Sequence, residues 1–296
     1  MHKFTFKTRK KMWDVIFIAP ALILFFIFTY YPLLINISYS LTSWNGLSAE
    51  KEYVGLANFI DIFQNPSVIQ AMKNTVYFAV VLLIMGLIFQ MSAALIVHTK
   101  VKGHNFIKIV LYLPAVLSPI VLAFTWIQFL QYTGYVNQVL GVMGMEESMQ
   151  NWLLNQDTVK LWLCVIQTLQ FVGYGMVFFL TGLNTIPKEV NESASLDGAF
   201  GVKRFFHITL PLIMPSITVT LFISITGALN TYAIPFALTG GGPNDASTTL
   251  TMQIYQRAFG FRQFGYSSAL GLVFFVFIAV VSCAQLMITR KREVEY

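Results

Sequence analysis

Val15–Ile37 contains no Asp, Glu, Lys or Arg, and five more runs share that property: Thr75–Val97, Ile109–Leu130, Leu161–Leu183, Leu212–Tyr232 and Ser267–Thr289. A bilayer core about 30 Å thick is crossed by about 20 helical residues, so uncharged apolar runs of this length read as spans. The apolar residues are continuous, whereas barrel strands alternate, so a β-barrel does not fit. The expectation is an all-α polytopic membrane protein with six transmembrane helices in one domain, residues 1–296. The chain is 56% hydrophobic and only 11% charged, well below the roughly 25% charged of a soluble domain. The first run follows a basic tail but is too long for a signal-peptide core, so it reads as an uncleaved span.

Lys and Arg mark the sides of the membrane. Lys3, Lys7, Arg9, Lys10 and Lys11 precede the first run; Lys100, Lys102 and Lys108 fall in the second connection; Lys188, Lys203 and Arg204 in the fourth; Arg290, Lys291 and Arg292 in the tail. The opposite side has Lys51, Lys73, Lys160, Arg257 and Arg262. The positive-inside rule puts both termini in the cytoplasm. The net charge of +6 is thus a matter of topology, with no nucleic-acid partner implied. Cys164 and Cys283 lie inside runs, as small apolar side chains.

Several chemistries are missing. The histidines have no paired metal-ligand spacing, no Ser sits in GxSxG, and the runs hold no charged relay residue. No GxxxxGK[ST] motif is present, and Gly240–Pro243 lacks its Lys and reads as a tight turn. Energy for uphill transport would therefore come from another chain.

The stretch NESASLDGAFGVKRFFHITLP, Asn191–Pro211, is polar within this apolar chain. Pro187 suits a first helical turn, with Glu189 and Glu192 near the positive end of a helix over Lys188–Leu196. Gly198 after Asp197 stops that helix, and a second short helix is expected over about Val202–His207, presenting Phe205 and Phe206. Such a helix–turn–helix can rest on headgroups or, with small Ser193, Ala194 and Ser195, admit a close partner backbone.

This stretch resembles the EAA loop of binding-protein-dependent ABC importer permeases: Glu192-Ser193-Ala194, then Asp197-Gly198-Ala199, then Ile208-Thr209-Leu210-Pro211. IAPALILFFIFTYYPLL, SLTSWN, YVGLANFIDIF, NTVYFAVV, GYVNQVL and LTGGGP extend the resemblance to the carbohydrate subfamily, particularly the maltose-type first permease subunit. The resemblance implies a type I importer permease fold in a bacterial inner or plasma membrane, and a cytoplasmic coupling helix within about residues 184–211. ATPase contacts would fall on Glu189, Glu192, Ser193, Ala194, Leu196, Asp197, Gly198 and Phe205. The implied partners are a second permease subunit, two ATP-binding subunits carrying ATP and Mg, an extracytoplasmic solute-binding protein, membrane lipid, and a sugar or oligosaccharide. This chain would bind no cofactor and would not be an enzyme. Glycerol phosphate as solute, or a stand-alone secondary transporter, are the alternatives.

In the fourth run Gln167, Gln170 and Tyr174 share one helical face. Interhelical hydrogen bonding and solute contact are both open uses of that face. The resemblance places sugar contacts at Gln167, Gln170, Phe171 and Tyr174, and on the fifth run at Ser224, Gly227, Ala228 and Thr231, with Asn230 beside them. Gly227 and Ala228 depart from the bulkier or polar groups of the maltose type, which implies a differently shaped or wider site.

Overall fold

The computed structural model describes residues 6–293; Lys3 and His2 of the basic tail lie outside the described residues. Helices dominate, because a chain this apolar must satisfy its backbone donors and acceptors internally. Among the described residues, five segments are long and apolar enough to cross a membrane: Asp14–Ser40, Pro66–His98, Gln156–Thr185, Met214–Thr239 and Phe264–Arg290. A sixth is broken, His104–Val116 and Pro119–Val142 meeting at 103°.

The chain divides into two compact units, Met1–Phe63 with Ile254–Val273, and Gln64–Gln253 with Phe274–Tyr296. The first holds α1 (Phe6–Phe25), α2 (Tyr31–Ser40) and α3 (Ala57–Ile62). A π-helical turn, Phe26–Tyr30, joins α1 to α2 just before Pro32, whose missing N–H cannot serve the preceding turn. Asn58 on α3 donates to the carbonyls of Ser40 and Thr42 at 2.8 and 2.9 Å, tying α3 to the end of α2.

The second unit contains α4 (Pro66–His98), α5 (His104–Val116), α6 (Pro119–Leu130), α7 (Tyr135–Val142), α8 (Gln156–Thr185), α9 (Lys188–Leu196), α10 (Gly201–Arg204), α11 (Leu210–Leu212), α12 (Met214–Leu229) and α13 (Ala233–Thr239). Asn65 and Asn155 cap α4 and α8 by accepting from Ser67 and Asp157. Helix α4 packs along α8, and α5 and α12 pack on that pair. Its core gathers Ala93, Ala94, Val97, Val172, Met176, Phe179, Leu183 and Ile213. Small residues bring the helices together: a Cβ on Gly173 would lie 2.7 Å from the Cα of Tyr112 on α5. Two further helices, α14 (Leu250–Tyr255) and α15 (Phe264–Arg290), complete the chain.

Two expectations from the sequence are corrected. The run Ile109–Leu130 is not one helix, because Leu117 and Ser118 are extended. Pro119 supplies no N–H and biases the residue before it out of the helix. The helix expected to stop at His207 instead continues from Gly201 through a π-helical turn, Phe205–Thr209, into α11, the π turn again preceding a proline, Pro211. After Tyr232, α13 buries Ile234, Pro235 and Leu238 and packs on α6. Beyond α13, Asn74 donates to the carbonyls of Asp245 and Thr248 at 2.8 and 3.0 Å, and the Thr75 hydroxyl accepts from the Leu250 N–H at 2.9 Å. These bonds seat the segment after the glycines on the first turns of α4.

Candidate functional site

A cavity of about 130 Å³ opens among α4, α8 and α12. Helical periodicity builds it, since α4 contributes residues four and eight apart and α8 and α12 contribute residues three, four, seven and eight apart. Leu82, Gly86 and Gln90 come from α4; Gln167, Thr168, Phe171, Tyr174, Gly175 and Phe178 from α8; Thr220, Ile223, Ser224, Gly227 and Ala228 from α12. Nothing lies within 4 Å of where a Gly227 Cβ would stand, so the absent side chain widens the space directly. A water needs roughly 10–15 Å³, so the cavity has room for several, in a mostly apolar lining with a few polar groups.

The lining carries no Asp, Glu, Lys or Arg. It combines aromatic rings, Phe171 at 41% and Tyr174 at 42% exposure, with neutral hydrogen-bonding groups. The oxygens Gln90 Oε1 and Thr168 Oγ1 are buried and have no partner among the described residues. Buried acceptors of this kind cost about 1–3 kcal/mol each when left unmade. Chemically, the arrangement suits a neutral solute rich in hydroxyls: rings for apolar faces, amides and hydroxyls for O–H groups.

Of the residues expected from sequence to meet a solute, Gln167, Phe171, Tyr174, Ser224 and Gly227 line this cavity together with Ala228. The others are engaged elsewhere. Thr231 accepts from Gln167 Nε2 at 2.6 Å and donates to the Ala228 carbonyl at 2.8 Å, which locks α8 to the end of α12. Asn230 donates to its own helix, to the Thr226 carbonyl at 2.9 Å. Gln170 donates to the Leu117 carbonyl at 3.3 Å. Tyr174, though its ring faces the cavity, donates its hydroxyl to the Ala115 carbonyl at 3.0 Å. Pro119 would have served Ala115 had the helix continued and carried an N–H there. The polar face of α8 therefore props the break between α5 and α6 as well as lining the cavity.

Gln90 was not among the residues expected from sequence. The signal was a lone amide in an otherwise apolar run, with Gly86 four residues before it on the same face. An uncharged glutamine leaves the run as free of Asp, Glu, Lys and Arg as any other span.

The polar stretch after α8 is a second candidate surface. Pro187 precedes α9, and the helix ends in a Schellman motif: Ala199 N–H bonds the Ala194 carbonyl at 2.8 Å and Gly198 N–H bonds the Ser195 carbonyl at 3.2 Å. Gly198 has φ +72°, which favours glycine. Glu189, Glu192, Ser193, Leu196, Asp197 and Gly198 are exposed and Phe205 is half-buried. Leu196 is 90% exposed, with Phe200, Val202 and Phe206 also exposed nearby in sequence. Ala194, placed with the contact residues from the sequence, is buried within the chain. Its small side chain allows the helix to seat, leaving contact to its neighbours.

Residues 86–294 match the family model described as "Binding-protein-dependent transport system inner membrane component". The chain is 33% identical to a probable ABC transporter permease protein, YurN of Bacillus subtilis, covering 94% of this chain and 96% of that one. It is 31% identical to the multiple sugar-binding transport system permease protein MsmF of Streptococcus mutans, covering 97% and 99%. A solved bacterial ABC transporter involved in the import of the acidic polysaccharide alginate contains a chain of the same fold, with TM-score 0.83 and 23% identity over 96% of this chain and 98% of that one.

Proposed function

This chain belongs to the family of inner-membrane components of binding-protein-dependent transport systems, and from that premise we propose that it carries a sugar or oligosaccharide through the cavity among α4, α8 and α12. It is a membrane permease component of an ABC importer. The observation that carries the solute class is the uncharged, hydroxyl-matching lining of Gln90, Gln167, Thr168, Ser224, Phe171 and Tyr174. An anionic solute such as glycerol phosphate fits less well, since a buried phosphate calls for Lys or Arg and the lining has neither. The name of the Streptococcus mutans relative points the same way.

In this reading the exposed surface of α9 and the following turn docks on separate ATP-binding subunits, which hold ATP and Mg. Glu189, Glu192, Ser193, Asp197 and Gly198 supply its polar and backbone contacts, and Leu196 its apolar one. Both termini lie in the cytoplasm with this loop, as the Lys and Arg distribution favours. A second permease subunit and an external solute-binding protein complete the importer. Nucleotide-driven closure of the ATPases shifts α9, and the helical run from Gly201 to α12, interrupted at Ile213, carries that shift to the cavity wall.

The test is reconstitution of the chain in vesicles with its second permease, ATPase and binding protein, followed by uptake of labelled lactose, maltotriose, raffinose and glycerol 3-phosphate. Uptake of at least one sugar that requires both ATP and the binding protein is expected. Sugar uptake that persists without ATP, or uptake of glycerol 3-phosphate alone, would overturn the proposal.

A further inference from the structure

Gln90 stands out among the cavity residues. It is 5% exposed, lines the cavity, and its Oε1 is buried without a partner. A glycine on the neighbouring helix makes its place. A Cβ on Gly175 of α8 would collide with the Gln90 amide carbon and oxygen, and a Cβ on Gly86 would come within 3.4 Å of its nitrogen. An apolar interior that only needed filling would take a Leu and close over it. Here a side chain is missing on α8 beside the amide, and the amide finds no hydrogen-bond acceptor or donor among the described residues. Burying an unpaired amide in an apolar medium is costly; Oε1 is sealed against Gly175, and the cavity-facing remainder of the amide, its Nε2 group, is left to meet a ligand group.

Its position separates it from the contacts expected from sequence. Gly175 follows Gln167 by eight residues on α8, which at 1.5 Å per residue puts Gln90 about 12 Å nearer the α9 end of the helix. Gln167 is already satisfied by Thr231, whereas Gln90 is not.

We propose that the Gln90 amide, seated between Gly86 and Gly175, binds a hydroxyl of the transported solute and sets selectivity for it at the end of the cavity nearer α9. The proposal rests on the sugar-importer reading above.

The experiment uses the full reconstituted importer and whichever of lactose, maltotriose or raffinose the wild type takes up, together with its singly deoxygenated analogues. Gln90→Met keeps the length and volume of the side chain and removes its hydrogen bonding. Uptake of the parent sugar should fall about three- to tenfold, the worth of one hydrogen bond, while uptake of one deoxy analogue stays as in wild type. Gly175→Ala, which displaces the amide without removing it, should reproduce the loss; Gln90→Asn should recover part of it. Complex recovery on purification monitors assembly for each variant. An equal fall for the parent and every analogue, or no fall at all, overturns the proposal and leaves the importer reading standing; the amide would then hold water only. Absence of uptake of any sugar by the wild type overturns both.

Discussion

Replacing Tyr174 with Phe removes one hydroxyl and nothing else. The ring stays in the cavity lining and keeps its edge-to-face contact with Tyr112, whose centroid is 5.8 Å away. What is lost is the 3.0 Å bond to the carbonyl of Ala115, a residue only 6% exposed, at a helix end where Pro119 brings no N–H. An orphaned buried carbonyl costs about 1–3 kcal/mol, whereas hydrogen bonds between membrane helices average about 0.6 kcal/mol. The absence of a substitute donor places this bond toward the top of the membrane range, about 1 kcal/mol, or roughly fivefold in the unfolded-to-folded ratio. Gln170→Met should behave differently. It loses a longer bond of 3.3 Å to Leu117, but it also removes Gln170 Oε1, which is buried with no partner. The two effects oppose, and the net change should be near zero. Thermal unfolding in detergent with a thiol-reactive dye reads both, because Cys164 is buried and reports opening once the exposed Cys283 is replaced by Ser. Tyr174→Phe should lower the midpoint by about 2–4 °C and Gln170→Met should leave it in place. A Gln170→Met variant as damaged as Tyr174→Phe would refute this account of the break.

Other substitutions probe the remaining elements. Gly198→Val adds a side chain with open space around it but at φ +72°, a backbone penalty of about 1–2 kcal/mol; ATP-driven uptake should drop while Gly198→Asn, tolerant of that conformation, keeps it. Asn74→Ala strands the carbonyls of Asp245 and Thr248, about 2 kcal/mol in all, and should speed hydrogen exchange or proteolysis within residues 240–249. Gly173→Val pushes against the Tyr112 backbone, 2.7 Å from the new Cβ, and should lower the thermal midpoint by overpacking of about 1–3 kcal/mol.

The spans were legible because membrane crossing is a property of local composition. Five of the six apolar runs lie in straight or gently broken helical segments, since each satisfies its own backbone whatever its neighbours do. The stop at Gly198 was legible for the same reason: a left-handed cap needs only the residue that occupies it. The break at Leu117 and Ser118 was less so. Pro114 and Pro119 were visible, yet Pro20 and Pro114 lie inside helices that continue past them, and only donors from another helix decide which proline ends one.

The candidate site divides along the same line. Helical spacing correctly put Gln167, Gln170 and Tyr174 on one face of α8, but spacing says nothing about what stands opposite. Thr231 took the Gln167 amide, and the carbonyls of Leu117 and Ala115 took Gln170 and Tyr174. Gln90, marked in the sequence only as a lone amide in an apolar run, entered the cavity because Gly175 on another helix leaves it room. The sequence by itself determined the membrane helices, the polar loop and its turn, because these depend on residues within a few positions of one another. Which polar side chains are spent on the protein and which are left for a solute was decided by tertiary structure alone, because a hydrogen bond's partner can lie more than sixty residues away, as Thr231 does from Gln167.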